Sequence, residues 1–169
     1  MSEGAGAADF VISRAFDASR ERVWQALTEP ERLKDWWPPK TFTMIHASMD
    51  LRPGGVFHSG MRSVEGYKLW AKFIYREVAP LERLVFINSF SNQAGEVKRN
   101  PVVPTWPLLT LIVMALEDEA GGKTKLTITW SPHEATEVER KTFDASHVGL
   151  KATWSAAFDQ LTAYLAKGS

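Results

Sequence analysis

Val148–Ala166 reads VGLKATWSAAFDQLTAYLA. Leu150, Trp154, Phe158 (or Ala157), Leu161 and Leu165 recur at steps of three and four, which draws one apolar stripe along a long helix. This helix closes the chain, and what lies between it and Thr41 has a different period. Thr41–Leu51, Val56–Val64, Tyr67–Val78, Leu84–Phe90, Trp106–Glu117 and Thr124–Trp130 read as strands. The joints are turn-forming: Arg52-Pro53-Gly54-Gly55, Glu65-Gly66, Pro80 and Ala120-Gly121-Gly122. Ser91–Thr105 is polar and proline-bearing, so it reads as a long loop, and Ser131–Ser146 reads as a polar connector.

The N-terminal side completes the pattern. Asp9–Asp17 is a strand, with Phe10, Ile12, Arg14 and Phe16 on one face. Ala18–Thr28 is a helix that Ser19 or Asp17 can cap, with Val23, Trp24 and Leu27 at helical spacing. Pro30 suits the first turn of a second short helix, Glu31–Trp36, which must stop before Pro38-Pro39. The order is strand, two short helices, about six strands and a long helix. Strands joined by short turns form an antiparallel meander with one face needing cover, and the terminal helix is the element long enough to supply it. The expected class is α+β, with a curved antiparallel sheet of six to seven strands around the C-terminal helix. Its natural site is a cavity between sheet and helix.

Composition narrows the function. The chain has 169 residues, 20 Lys+Arg and 20 Asp+Glu, and this zero net charge argues against nucleic acid or an anionic membrane as the main partner. The absence of cysteine removes disulfides, thiol nucleophiles and thiolate metal sites. No apolar run approaches the ~20 residues of a membrane span, so membrane insertion is not expected. Met1–Ala8 is Gly/Ala-rich without the basic and apolar regions of a signal peptide; it reads as a disordered tail before one domain over 9–167, with a cytoplasmic default. The four histidines, His46, His58, His133 and His147, are scattered and form no H-x-x-x-H pair, so neither a metal nor another cofactor is expected. No G-x-S-x-G elbow or phosphate loop is present, and no catalytic residue is assigned.

A family resemblance enters with particular residues. Arg14-Ala15-Phe16-Asp17-Ala18, Val23-Trp24-Gln25-Ala26-Leu27-Thr28, Pro30 and Trp36-Trp37 resemble the opening of the START-like (SRPBCC, helix-grip) superfamily. Within it, the chain is similar to homologues of the C-terminal domain of the heat-shock-protein-90 ATPase activator. The likeness continues through Asp50–Phe57, Arg76–Pro80, Glu82–Phe86 and Gly121–Thr127 to Gly149, Leu161 and Leu165, so it spans nearly all of 9–167. Family members commonly carry Gly after the tryptophan pair; here Pro38-Pro39 follows. The resemblance implies a helix-grip ligand-binding fold. It does not by itself imply chaperone activation, since the chaperone-binding half of the activator has no counterpart here and fold alone does not fix function.

Seven Trp and nine Phe are the unusual feature of this small neutral chain. Aromatic rings bury large areas whether their neighbour is protein or ligand. Trp36 and Trp37 end the short helices where a cavity would open, and Phe42, Phe57, Met61 and Trp70 follow on strands. Phe86, Phe90, Trp106 and Trp130 extend that wall, with Trp154 and Phe158 on the helix. These twelve are the expected ligand-binding set. His46, Arg52, His58 and Tyr67 are candidate polar anchors; for both histidines a bland surface or core role is the preferred alternative. Arg52 is read first as the structural partner of Asp50, and Arg14 as a partner of Glu77.

The leading expectation is binding of a small hydrophobic or amphipathic molecule. A cyclase- or hydrolase-like enzyme is the second; it needs a buried titratable group aimed into the pocket. A chaperone-linked interaction module is the third; it needs a large exposed apolar patch. A homodimer is compatible with such a domain, though no residue pattern marks an interface.

Overall fold

The computed structural model describes residues 9–167, and the tail expected over Met1–Ala8 lies outside them. β1 (Phe10–Phe16) leads into α1 (Arg20–Thr28) and α2 (Pro30–Trp36). The strands β2 (Phe42–Met49), β3 (Val56–Ser63), β4 (Lys68–Ala79) and β5 (Arg83–Ser91) follow, then β6 (Val97–Lys98), β7 (Thr110–Glu119) and β8 (Lys123–Pro132). Two helices end the chain, α3 (Glu137–Ala145) and α4 (His147–Ala166). The sheet order is β1-β8-β7-β5-β4-β3-β2, all neighbours antiparallel, with the two-residue β6 on β5.

Local chemistry sets the boundaries. Ser19 accepts a hydrogen bond from the Arg22 amide and starts α1. Pro30 occupies the first turn of α2, where its missing N–H costs nothing. At the β2–β3 turn, Gly54 adopts φ +85° and a Cβ on Gly55 would lie 2.0 Å from the Asp50 carbonyl oxygen, so both positions require glycine.

Two sequence readings are corrected here. The polar connector Ser131–Ser146 contains α3, begun by a capping box in which Thr136 accepts from the Glu139 amide and Glu139 accepts from the Thr136 amide. The Ser91–Thr105 loop contains β6.

α4 lies across the concave face as its stripe requires: Trp154, Phe158, Leu161 and Leu165 are buried. One row of inward side chains crosses five strands in register, Tyr75–Phe86–Ile112–Trp130–Phe10. Burying each large side chain contributes about 2–3 kcal/mol. Phe158 meets Phe16 edge to face with centroids 5.5 Å apart. Arg14 pairs with Asp159 of α4 (2.8 Å) and lies over the Phe158 ring, so its partner is not Glu77, which pairs with Arg83. Arg22 donates to the Leu165 carbonyl at the C-terminal end of α4, where the helix dipole favours a cation. Gln160 Nε2 donates to the carbonyls of Trp36 and Pro38, which ties the end of α2 to α4.

Candidate functional site

The site is built from four elements that converge near the N-terminal half of α4. Trp37, just past α2, sits edge to face between Phe73 of β4 (5.9 Å) and Trp154 of α4 (5.7 Å). Trp154 meets Trp130 of β8 at 6.1 Å. Trp130 in turn meets Trp106, in the segment before β7, at 5.6 Å and Phe143 of α3 at 5.8 Å. A continuous aromatic wall thus joins the sheet, both terminal helices and the tryptophan pair.

Four buried polar atoms in the described residues have no hydrogen-bond partner: Tyr75 Oη, Trp130 Nε1, Trp154 Nε1 and His147 Nε2. A buried donor left unpaired costs about 1–3 kcal/mol, so such groups call for a reason. Burial pushes the Tyr75 hydroxyl well above its usual value, which keeps it neutral. His147 opens α4 with its ring against Phe10 and Phe143, 5.7 and 5.4 Å away.

The aromatic wall is held shut on one side by a carboxylate. Glu139 is 6% exposed and accepts from Arg99 Nη1 and from the amides of Leu108 and Thr136. The Arg99 hydrogen bond, with the two backbone amides behind it, outweighs desolvation and holds the Glu139 carboxyl below the usual range. Arg99 also donates to the Trp106 carbonyl, and Thr142 of α3 bonds Thr105. Residues 99–108 are thereby strapped to α3, with Trp106 pressed onto Phe143 at 5.4 Å.

The predicted residues divide into five groups. Trp37, Trp106, Trp130, Trp154, Phe57, Phe86 and Phe158 belong to the interior or pack on it. Trp36 is also inside, but its Nε1 donates to the Ala26 carbonyl, so it braces α1 against α2. Met61 and Phe90 face the same side by register, in the rows Met44–Met61–Leu69 and Ala47–Ser59–Ala71–Phe90, and remain half-buried beyond the end of the packed core. Phe42 lies elsewhere, in a cleft of about 300 Å³ with Pro38, Gln160 and Tyr164.

Trp70, His46 and His58 are corrected: they lie on the opposite face of the sheet. Gly60 pairs with both His46 and Trp70, and His58 pairs with Lys72, all of outward parity. His46 escapes the parity of Met44 because the ladder shifts at Ile45, a bulge that reverses the faces after it. The three form a cluster, with the His58 ring stacked on Trp70 at 5.2 Å and on edge to His46 at 5.2 Å, and His58 Nε2 bonds the Asn92 carbonyl. Arg52 binds Asp50 (3.0 and 2.8 Å) on an exposed turn, the structural alternative read for it, and Tyr67 is 47% exposed in the β3–β4 turn.

The sequence reading did not single out Tyr75, Glu139 or the interior position of His147. Only Glu139 carries a legible signal, the Thr136-x-x-Glu139 spacing. A second cleft, of about 640 Å³, opens at the far end of the sheet beside Ser19, Glu82 and Lys123. Its Arg20 and Asp118 are joined by a two-pronged ion pair that lowers the Asp118 carboxyl's pKa, so its central charges already satisfy each other. Among the described residues, no group of three or more His, Cys, Asp or Glu is placed to hold a metal ion, and no helix is long and apolar enough to cross a membrane.

This fold and wall define a helix-grip protein of the START-like kind. The family described as Activator of Hsp90 ATPase homolog 1-like protein matches residues 17–166, and the chain belongs to it. A protein of Nitrosomonas europaea is 28% identical, over 95% of this chain and 96% of its own, with a TM-score of 0.74. Proteins of Arthrobacter aurescens (24% identity, 99% and 91% covered) and Rhodobacter sphaeroides (22%, 96% and 95%) both reach a TM-score of 0.76; at that identity they speak for the fold alone. No curated protein matches the chain.

Proposed function

We propose that this chain binds a small hydrophobic or amphipathic molecule between the sheet and α4. The carrying observation is the half-buried part of the inward face, Met61 and Leu69 in one row and Ala71 and Phe90 in the next, which leads through Phe73 to the wall of Trp37, Trp154 and Trp130. Apolar side chains that point into the concavity without being covered are the surface an apolar ligand removes from water. Trp37, just past α2, packs on Phe73 of the same inward face, and Trp106 packs on Trp130 further along the wall. The cytoplasm is the proposed location.

The experiment is a titration of intrinsic tryptophan fluorescence and Tm with lipids, polyketides and aromatic acids. Binding at 100 times Kd stabilises by about 2.7 kcal/mol, which raises Tm by roughly 5–10 °C in a domain of this size. Quenching with such a rise is expected for at least one class. Unchanged fluorescence and Tm across the whole panel would contradict the proposal.

A further inference from the structure

We infer that the ligand carries an oxygen acceptor, such as a ring-conjugated carbonyl, that the indole N–H groups of Trp130 and Trp154 hold. This rests on the binding reading above and specifies its chemistry. Trp154 is 5% exposed, and both Nε1 atoms are out of water without a partner. An indole nitrogen can only donate, so what satisfies it must be an acceptor. The two rings touch edge to face at 87°, one on β8 and one on α4. Trp36 provides the contrast: its equally buried N–H is already spent on the Ala26 carbonyl.

Of the other unpaired groups, Tyr75 is separated from Trp130 along the sheet and His147 from Trp154 along α4. Tyr75 stands three strands from Trp130 along the same inward row, ~14 Å at the usual strand spacing. His147 lies two helical turns before Trp154, ~10 Å along α4. The surroundings are apolar and aromatic, with Phe143 against Trp130 and Trp37 against Trp154. A flat ring system with a carbonyl meets both demands, since its faces pack against rings while its oxygen takes the N–H groups.

The test compares 2-acetylnaphthalene with its isosteric hydrocarbon, 2-isopropenylnaphthalene, on the full chain. The ketone is expected to bind about tenfold more tightly, the factor one net hydrogen bond supplies. That preference is expected to shrink in Trp154→Phe and in Trp130→Phe, each of which keeps a ring but loses one of the two N–H groups, to vanish when both are replaced, and to persist in Trp70→Phe on the other face. Should both interior variants fail to fold, indole proton NMR on the wild type decides: the ketone alone must shift the Trp130 and Trp154 N–H signals downfield. Equal binding of ketone and hydrocarbon would overturn the acceptor assignment while leaving the apolar reading intact. Binding of neither would overturn the acceptor assignment, and the panel titration above then decides the apolar reading.

Discussion

Trp154 of α4 and Trp130 of β8 meet edge to face with centroids 6.1 Å apart, and neither indole nitrogen has a hydrogen-bond partner. This contact joins the terminal helix to the sheet. Trp154→Ala is expected to cost about 3–5 kcal/mol through the cavity it leaves. Trp154→Phe is expected to cost less than half of that, because the ring remains and an unsatisfied donor goes. Urea denaturation of the two variants checks the ratio.

The Glu139 clasp gives a pH prediction. Its folded pKa lies below its ordinary value of 4.5, so its stabilisation is complete above that value and fades as pH falls through the folded pKa. The stability gap between wild type and Glu139→Gln is therefore expected to be constant above about pH 5.5 and to shrink below 4.5. Glu139→Ala strands the Leu108 and Thr136 amides and is expected to cost about 2 kcal/mol, with faster hydrogen exchange at Leu108. A gap independent of pH down to 3 would contradict the assignment.

The two glycines with close neighbours separate backbone from side-chain collisions. A Cβ on Gly55 would meet the Asp50 carbonyl oxygen at 2.0 Å, whereas one on Gly60 would meet the Trp70 ring at 2.4 Å. Backbone in a tight turn cannot move away, but a half-buried ring on the outer face can turn aside. Gly55→Ala is expected to destabilise by about 3 kcal/mol or more, against about 1–2 for Gly60→Ala. Thermal melts read the difference, and red-shifted Trp70 emission accompanies only the second.

Arg52→Ala is expected to change stability by no more than about 0.5 kcal/mol, as for other solvent-exposed ion pairs. It is also expected to leave the affinity for any apolar ligand unchanged. A tenfold loss of affinity would restore Arg52 as an anchor for an acidic head group.

These predictions concern residues that the sequence reveals unequally. The helix of Val148–Ala166 and the turn glycines fix the element order, because periodicity and positive φ are local properties. α3 is missed because Glu137, Glu139, Arg140 and Lys141 dilute its apolar spacing, although its capping box is spelled out in Thr136 and Glu139. The interior membership of Trp37, Trp130 and Trp154 is legible as aromatic pattern. The sidedness of Trp70, His46 and His58 is not: alternation defines two faces without saying which is concave, and the bulge at Ile45 breaks the count. The parity of Trp70 with Lys68 and Lys72 is the one hint of an outward face. Partnerless donors are three-dimensional facts, which no spacing encodes.

The most direct measurement is a two-dimensional ¹⁵N–¹H spectrum of the seven indole N–H groups during titration with 2-acetylnaphthalene. The account predicts saturable shifts centred on Trp130 and Trp154, with Trp37 and Trp106 following more weakly and Trp70 unmoved. Shifts confined to Trp70, or seven signals that stay still at saturating ketone, would contradict it.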